Sequence, residues 1–430
     1  MNATAGARTE FERAVRGSRD RLVKLCCSLV RIGSENPPGD TSDIAGFIES
    51  LFANAASTTT QRIVAREPAV NLLVRVAGDS PGRRLVFNGH LDTFPAGDPN
   101  RWTVPPLSGG IAEARIYGRG AADMKAGLAA SMLAALLLSE YRRSWRGEIA
   151  LTLVGDEETG GRWGTQHLLA NHPEAKGDAM LSGDAGAPQV IRVGEKGQMW
   201  IEIMAEGKAN HGAHVHLGVN AIERLMVALN KVRKLRRMPC PIPRRILKVM
   251  QKARTVSEAV SGVGEADTLR HVTVNIGQIG GGTAVNIIPD RATALVDVRI
   301  PPGLTVNKIR RAVSDLLDGT PGISHRVLSA CEPTVTDTSE EIARLTARNA
   351  GVITNGAAVA NIRVGFSDAR FYRLASVPSV VYGPTPHNMG GADEYVTIDD
   401  LFAVFYVHAM TAFDFLAAPQ RRKKSARARR

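Results

Sequence analysis

A chain of 430 residues is too long for one comfortable hydrophobic core, so two or three domains are expected. Apolar residues make up 44% and charged residues 22%, a balance that excludes a disordered or fibrous chain. The formal charge is +12, but seven charges (Arg421, Arg422, Lys423, Lys424, Arg427, Arg429 and Arg430) sit in the last ten residues, which leaves only a weak excess on the body.

That tail has no aromatic residue to stack on bases and no nucleic-acid reading motif. Residues 418–430 are expected to be a solvated, disordered extension, with no nucleic-acid partner. No window approaches the roughly 18 uninterrupted apolar residues of a membrane span. The longest apolar run, Ala126 to Ser139, ends in charge and reads as a buried helix. The N-terminus is charged and polar through Asp20, unlike a signal peptide, and a cytoplasmic address is expected. Cys26, Cys27, Cys240 and Cys331 show no C-x-x-C spacing and are expected as reduced thiols.

In chain order, the pattern predicts a helix over Glu10–Val30, then the turn-rich stretch Gly33-Ser-Glu-Asn-Pro-Pro-Gly39 and a helix over Ser42–Ala53. Strands are predicted at Asn71–Val76, Arg84–Asn88, Glu148–Val154 and Ala179–Ser182, with helices at Leu128–Tyr141 and Trp163–Asn171. Apolar strand runs without strict alternation, separated by helices, predict an α/β domain whose mostly parallel sheet carries helices on both faces. From about Glu195 the order changes to a strand (Gln198–Glu206), a helix (Asn220–Leu235), two strands (Thr273–Ile279, Ala292–Ile300), a helix (Val306–Leu317) and a strand (Ser324–Ala330). That β-α-β-β-α-β series predicts a small α+β domain, 195–330, inserted between the two parts of the larger one, 1–194 and 331–417. Arg233 to Arg270 is basic and broken by prolines, and no element is assigned to it. A strand at Ser379–Tyr382 and a helix at Ile398–Leu416 close the chain.

The residues that carry chemistry follow the predicted strands. Asn88-Gly-His-Leu-Asp-Thr93 ends one of them. His90 and Asp92, two apart in extended chain, project to one side, so one can bind a metal while the other supports it; a hydrogen-bonded turn would use the same residues. In Gly118-Arg-Gly-Ala-Ala-Asp-Met-Lys-Ala-Gly127, Asp123 stands at a helix start, where an N-cap is the plainer use. The segment lacks the Gly-Lys-Ser/Thr ending of a phosphate loop. Gly155-Asp-Glu-Glu-Thr-Gly160 puts three mutually repelling carboxylates at a strand end, an arrangement that asks for a cation. Asp184 in Ser182-Gly-Asp-Ala-Gly186 and His387 in Tyr382-Gly-Pro-Thr-Pro-His-Asn-Met389, with Asp393 and Glu394 beyond, complete the set. Mixed imidazole and carboxylate donors suit zinc, cobalt or manganese better than magnesium or calcium.

In this order the motifs resemble the M20 metallopeptidase family, most closely its succinyl-diaminopimelate desuccinylase and acetylornithine deacetylase branch. The resemblance spans about Arg21 to Phe415 and implies two divalent metal ions, zinc foremost with cobalt or manganese as alternatives. It implies His90 on one ion, His387 on the other, Asp123 bridging them, and Glu158 and Asp184 completing the ligand sets. Asp184 stands where many members carry Glu. Asp92 would orient His90. Glu157 would be the general base of an attack on an amide-type C–N bond in a small, carboxylate-bearing molecule. Asn210-His-Gly-Ala-His-Val-His-Leu-Gly-Val-Asn-Ala221 resembles the family's lid motif, in which His211 would donate to the oxyanion across a homodimer formed by the inserted domain. His214 and His216 lie close by, and a surface histidine cluster is the alternative. Arg299 and Asn286 resemble lid groups that hold a substrate carboxylate, and Ser367 and Arg370 a binding segment of the main domain. Two other functions fit the same residues: an aminohydrolase releasing ammonia from an aromatic or ureido acid, and a binding protein that kept the fold without catalysis.

Overall fold

The computed structural model describes residues 3–418, so the basic tail expected at 418–430 lies outside the described residues apart from Ala418. Contacts divide the described chain into two compact units. The first runs to Val193 and adds Thr336–Ala360 and everything from Ser367 onward; the second is Gly194–Val335 with Asn361–Phe366. The return of 361–366 to the second unit departs from the expected 331–417 segment.

In the first unit, Thr58–Arg66, Ala69–Ala77, Glu148–Val154, Arg84–His90, Ala179–Ser182, Ser379–Val381 and Val190–Glu195 lie side by side in that order. The central pairings, Arg84–His90 with Glu148–Val154 and with Ala179–Ser182, and Ser379–Val381 with Ala179–Ser182, are parallel. The outer ones are antiparallel. Neighbouring residues of one central strand meet different helices. Phe87 stacks on His408 of helix Ile398–Ala417, with ring centroids 5.4 Å apart, whereas Asn88 donates to Thr165 Oγ1 (3.1 Å), which opens helix Thr165–Asn171. Successive strand side chains point to opposite faces, so helices cover both. The buried run forms helix Ala126–Glu140, whose apolar residues have no polar face to present. Among the described residues two stretches, Ala121–Glu140 and Ile398–Ala417, are long and apolar enough to cross a membrane, and both are mostly packed inside the fold.

The predicted first helix is in fact two, Ala3–Arg16 and Arg19–Val30. Gly17 weakens the junction, and Ser18 turns its hydroxyl back onto the Ala14 carbonyl (2.8 Å). Several strands were absent from the prediction, two of them long ones in this sheet. Thr58–Arg66 is an edge strand with one buried residue, so it carries no alternation to read. Val190–Glu195 is buried throughout.

The second unit has a four-stranded antiparallel sheet ordered Thr273–Gly281, Arg291–Ile300, Gly197–Glu206, Ile323–Cys331. Alternate residues Met199, Ile201, Ile203 and Ala205 pack with Leu225 and Leu229 of helix Ala221–Val232 and with Ile309 and Val313 of helix Val306–Leu317. The unassigned basic stretch folds as a 3-10 turn, Arg233–Arg237, and two helices, Arg244–Ser261 and Glu265–Arg270. Its long helix buries only the seam Ile246, Met250, Ala253 and Ser257, which leaves most of its arginines and lysines on the outside.

Candidate metal centre and active site

Two strand ends and one helical turn of the first unit converge on one buried polar cluster. Strand Arg84–His90 ends in the His90 imidazole. Strand Glu148–Val154 runs into the turn that carries Asp156, Glu157 and Glu158. Asp123 sits in a distorted helical turn, Ala121–Lys125, with φ −129° and ψ 96°, and its peptide bond to Met124 is cis.

Ligand atoms of His90, Asp123 and Glu158 all lie within 4.8 Å of one another. His90 Nε2 is 3.1 Å from Asp123 Oδ1, and its Nδ1 is 2.8 Å from the Asp92 carbonyl oxygen and 3.6 Å from the Asp92 carboxylate. Asp92 is fully buried. Its carboxylate accepts from Asn36 Nδ2 (2.9 Å) and from the backbone N–H groups of Glu157 (3.3 Å) and Glu158 (3.2 Å). One side chain thereby ties the His90 turn to the acidic turn.

These residues fit a bound cation. Glu158 Oε1 is buried with no hydrogen-bond partner, a costly state for a carboxylate oxygen. Burial pushes the Glu158 carboxyl up to about 10; the His90 charge opposes this, and Asp123, Glu157 and Asp92 add to it. Burial likewise raises Glu157 well above the usual carboxylate range, against the pull of His90. For His90, burial favours the neutral ring, but Asp123, Glu157 and Asp92 together outweigh it and the net shift is upward. A cation among these groups would offset the crowding that protons must otherwise relieve.

Glu157 stands beside the cluster, its Oε1 3.7 Å from Arg370 Nη1, so Arg370 faces the acidic turn. Arg370 also donates to the Ser367 carbonyl (2.8 Å), and Ser367 is buried. Asp184 is buried just past strand Ala179–Ser182 and lies within electrostatic reach of Glu157, but outside the three-ligand group. His387 is also outside that group; its ring stacks on Tyr395 with centroids 4.4 Å apart.

In the second unit His211 and Asn286 are neighbours. His211 pairs with Ile287, and the Gly212 N–H donates to the Asn286 carbonyl (2.7 Å). His211 Nδ1 accepts the Ala213 N–H (3.1 Å), which leaves the neutral ring's proton on Nε2. The rings of His214 and His216 follow, 6.0 Å apart. Arg299 is paired with Asp297 (2.9 Å) and lies over the Phe366 ring.

Several supporting residues escaped the sequence reading. Asn36 lies in the turn-rich stretch and was passed over as loop. Asp368, held by the Thr165 hydroxyl (2.6 Å) and raised to about 6 chiefly by burial, lies between Ser367 and Arg370. Arg119 lies inside a motif read only for its glycines and Asp123.

A model of peptidase family M20/M25/M40 matches residues 86–414. The chain belongs to that family. It is 30% identical over 402 residues to the succinyl-diaminopimelate desuccinylase of Paracoccus denitrificans, covering 88% of this chain and 94% of that one. The fold of this M20 chain is similar to that of the M20 family metallo-carboxypeptidase Sso-CP2 of Sulfolobus solfataricus, at a TM-score of 0.78 and 16% identity, covering 92% of this chain and 99% of the other. It is similar too to the YXEP protein of Bacillus subtilis, described as a dinuclear metal binding peptidase of the M20 family, at a TM-score of 0.62 and 14% identity, covering 93% and 99%. The M20 chain is thus a metal-dependent hydrolase of C–N bonds.

Proposed function

We propose that the protein removes an acyl group from a small N-acylated amino acid, in the manner of a desuccinylase or deacetylase, with Glu157 as general base. The observation that carries this reading is the buried His90–Asp123–Glu158 cluster with Glu157 next in chain and beside it. In this reading His90, Asp123, Glu158, Asp184 and His387 hold two divalent ions, zinc foremost with cobalt or manganese as alternatives. Bound there, the ions would acidify a water and polarise the scissile carbonyl. Glu157 takes the water's proton and delivers it to the leaving nitrogen. Asp92 holds His90 and the acidic turn in register, and Asn36 holds Asp92. His211, with its proton on Nε2, is the donor to the developing oxyanion, within a homodimer built on the second unit. Arg299, Asn286, Ser367 and Arg370 are the residues this reading assigns to substrate binding.

The test is hydrolysis of N-acetyl, N-succinyl, N-formyl and ureido amino acids and of amino-substituted aromatic acids. Zinc, cobalt or manganese is supplied, amine and ammonia are both scored, and a chelator serves as control. Chelator-sensitive release of a free amino acid from one N-acyl class is expected. Ammonia as the sole product would replace this reading with the aminohydrolase one, and no turnover of any substrate with any metal would remove the catalytic assignment.

A further inference from the structure

Asp123 does not hold its place through its own turn, which departs from helical geometry there and has no capping side chain. One hold on its backbone comes from 271 residues further along the chain. Glu394 Oε1 accepts the backbone N–H groups of Ala122 (2.9 Å) and Asp123 (3.2 Å). Its other oxygen, Oε2, accepts from Arg119 Nη1 at 2.6 Å. The Glu394 carbonyl accepts the Gly118 N–H (2.9 Å), so Glu394 grips both ends of the segment 118–123. Arg119 is fixed in turn by the Gly390 carbonyl (3.2 Å) and by the Trp102 ring, 5.2 Å away. Both charged side chains are about 1% exposed. The antiparallel register Tyr117↔Tyr395 brings the two segments together, and the same Tyr395 carries the His387 ring.

A buried ion pair is a poor source of stability, because desolvation offsets most of its attraction. This pair supplies orientation: each glutamate oxygen has its own donors, and the backbone of a candidate metal ligand is one of them. We propose that Arg119 and Glu394 are positioning residues that set where the Asp123 carboxylate stands, and through it the affinity and coordination of the metal centre. This rests on the metal-centre reading above. The chemistry is specific to a carboxylate. A glutamine at 394 offers one oxygen, so its amide N–H₂ must face either Arg119 or the two backbone N–H groups, donor against donor.

The experiment is titration of the full-length, metal-stripped protein with Co²⁺, by calorimetry and visible absorption, for wild type, Glu394→Gln and Arg119→Lys. Steady-state kinetics on the substrate found above accompany it. Glu394→Gln is expected to weaken Co²⁺ binding about 10–100-fold, to alter the visible spectrum and to lower kcat while leaving KM nearly unchanged. Arg119→Lys keeps the charge but loses the fork to Glu394 and Gly390, and a smaller loss in the same direction is expected. A folded Glu394→Gln protein with wild-type affinity and spectrum would overturn the proposal. If that variant does not fold, unchanged affinity and spectrum in Arg119→Lys does the same. A wild-type protein that binds no divalent ion overturns the metal-centre reading itself, and the inference with it.

Discussion

His408 should make the first unit acid-sensitive from the inside. It is fully buried, with Nε2 2.9 Å from the Tyr382 carbonyl and Nδ1 3.0 Å from the Ser131 hydroxyl. The carbonyl can only accept, so the proton sits on Nε2, and Nδ1 accepts from Ser131. Burial lowers the imidazole pKa to about 4, against a weaker upward pull from the Tyr382 carbonyl. Because the folded value is depressed, the unfolded chain binds the proton first. Stability is therefore complete above the unfolded value of about 6.5 and is lost as pH falls toward about 4. Linkage over that window gives a loss of about 2–3 kcal/mol by pH 4.5. In His408→Leu that increment is absent, but at pH 7.5 the variant is less stable by about 2–4 kcal/mol, because Ser131 and the Tyr382 carbonyl are left buried without partners. The assay is urea unfolding of metal-free wild type and variant at pH 7.5 and 4.5, followed by the fluorescence of the first unit's tryptophans. The quantity of interest is the difference between the two proteins' losses. Equal losses on acidification would refute the argument. Tyr382 opens the loop that carries His387, so the same histidine anchors part of the candidate site.

Glu157→Gln should lower kcat by about 10²–10⁴-fold with metal affinity unchanged, checked by steady-state kinetics beside a metal titration. Asp92→Asn leaves one neutral oxygen where two carboxylate oxygens accept the Glu157 and Glu158 N–H groups, and metal affinity should fall about 10–100-fold by calorimetry. If His211 is the oxyanion donor proposed above, His211→Asn should cost about 10²–10³ in kcat with little change in metal affinity. Gly127→Ala would drive a methyl into the Gly183 carbonyl oxygen, beside Asp184. A loss of about 1–3 kcal/mol or more is expected in thermal unfolding, since the contact is with backbone and cannot rotate away.

The elements legible in the sequence are those whose burial is periodic and local. Glu148–Val154, Ala179–Ser182 and Val306–Leu317 have the boundaries that apolar runs and caps indicate. Thr305 caps the last of these by accepting the Lys308 N–H (3.3 Å), a signal that sits in the sequence itself. Thr58–Arg66 was illegible because an edge strand needs no buried face; only its partner Ala69–Ala77, across the turn at Glu67-Pro68, makes it a strand. The helix Arg244–Ser261 was hidden for the opposite reason, since its four buried residues are outnumbered by charges.

The candidate site divides along the same line. His90, Asp123, Glu157 and Glu158 stand at strand ends or a helix start, where a short motif carries both the residue and its address. The groups that hold them do not. Arg119 meets Glu394 across 275 residues, Asp368 meets Thr165 across 203, and His408 meets Ser131 across 277. No local pattern encodes such pairs, because each half alone is an ordinary polar residue in a loop or on a helix. They become informative only when the fold removes water from both partners at once. A lone buried arginine or glutamate would be untenable there, whereas the pair is stable enough to persist and rigid enough to aim a backbone. Reactive groups can thus be found by looking along the chain, but the groups that aim them have to be sought across it, among charges with no water left to solvate them.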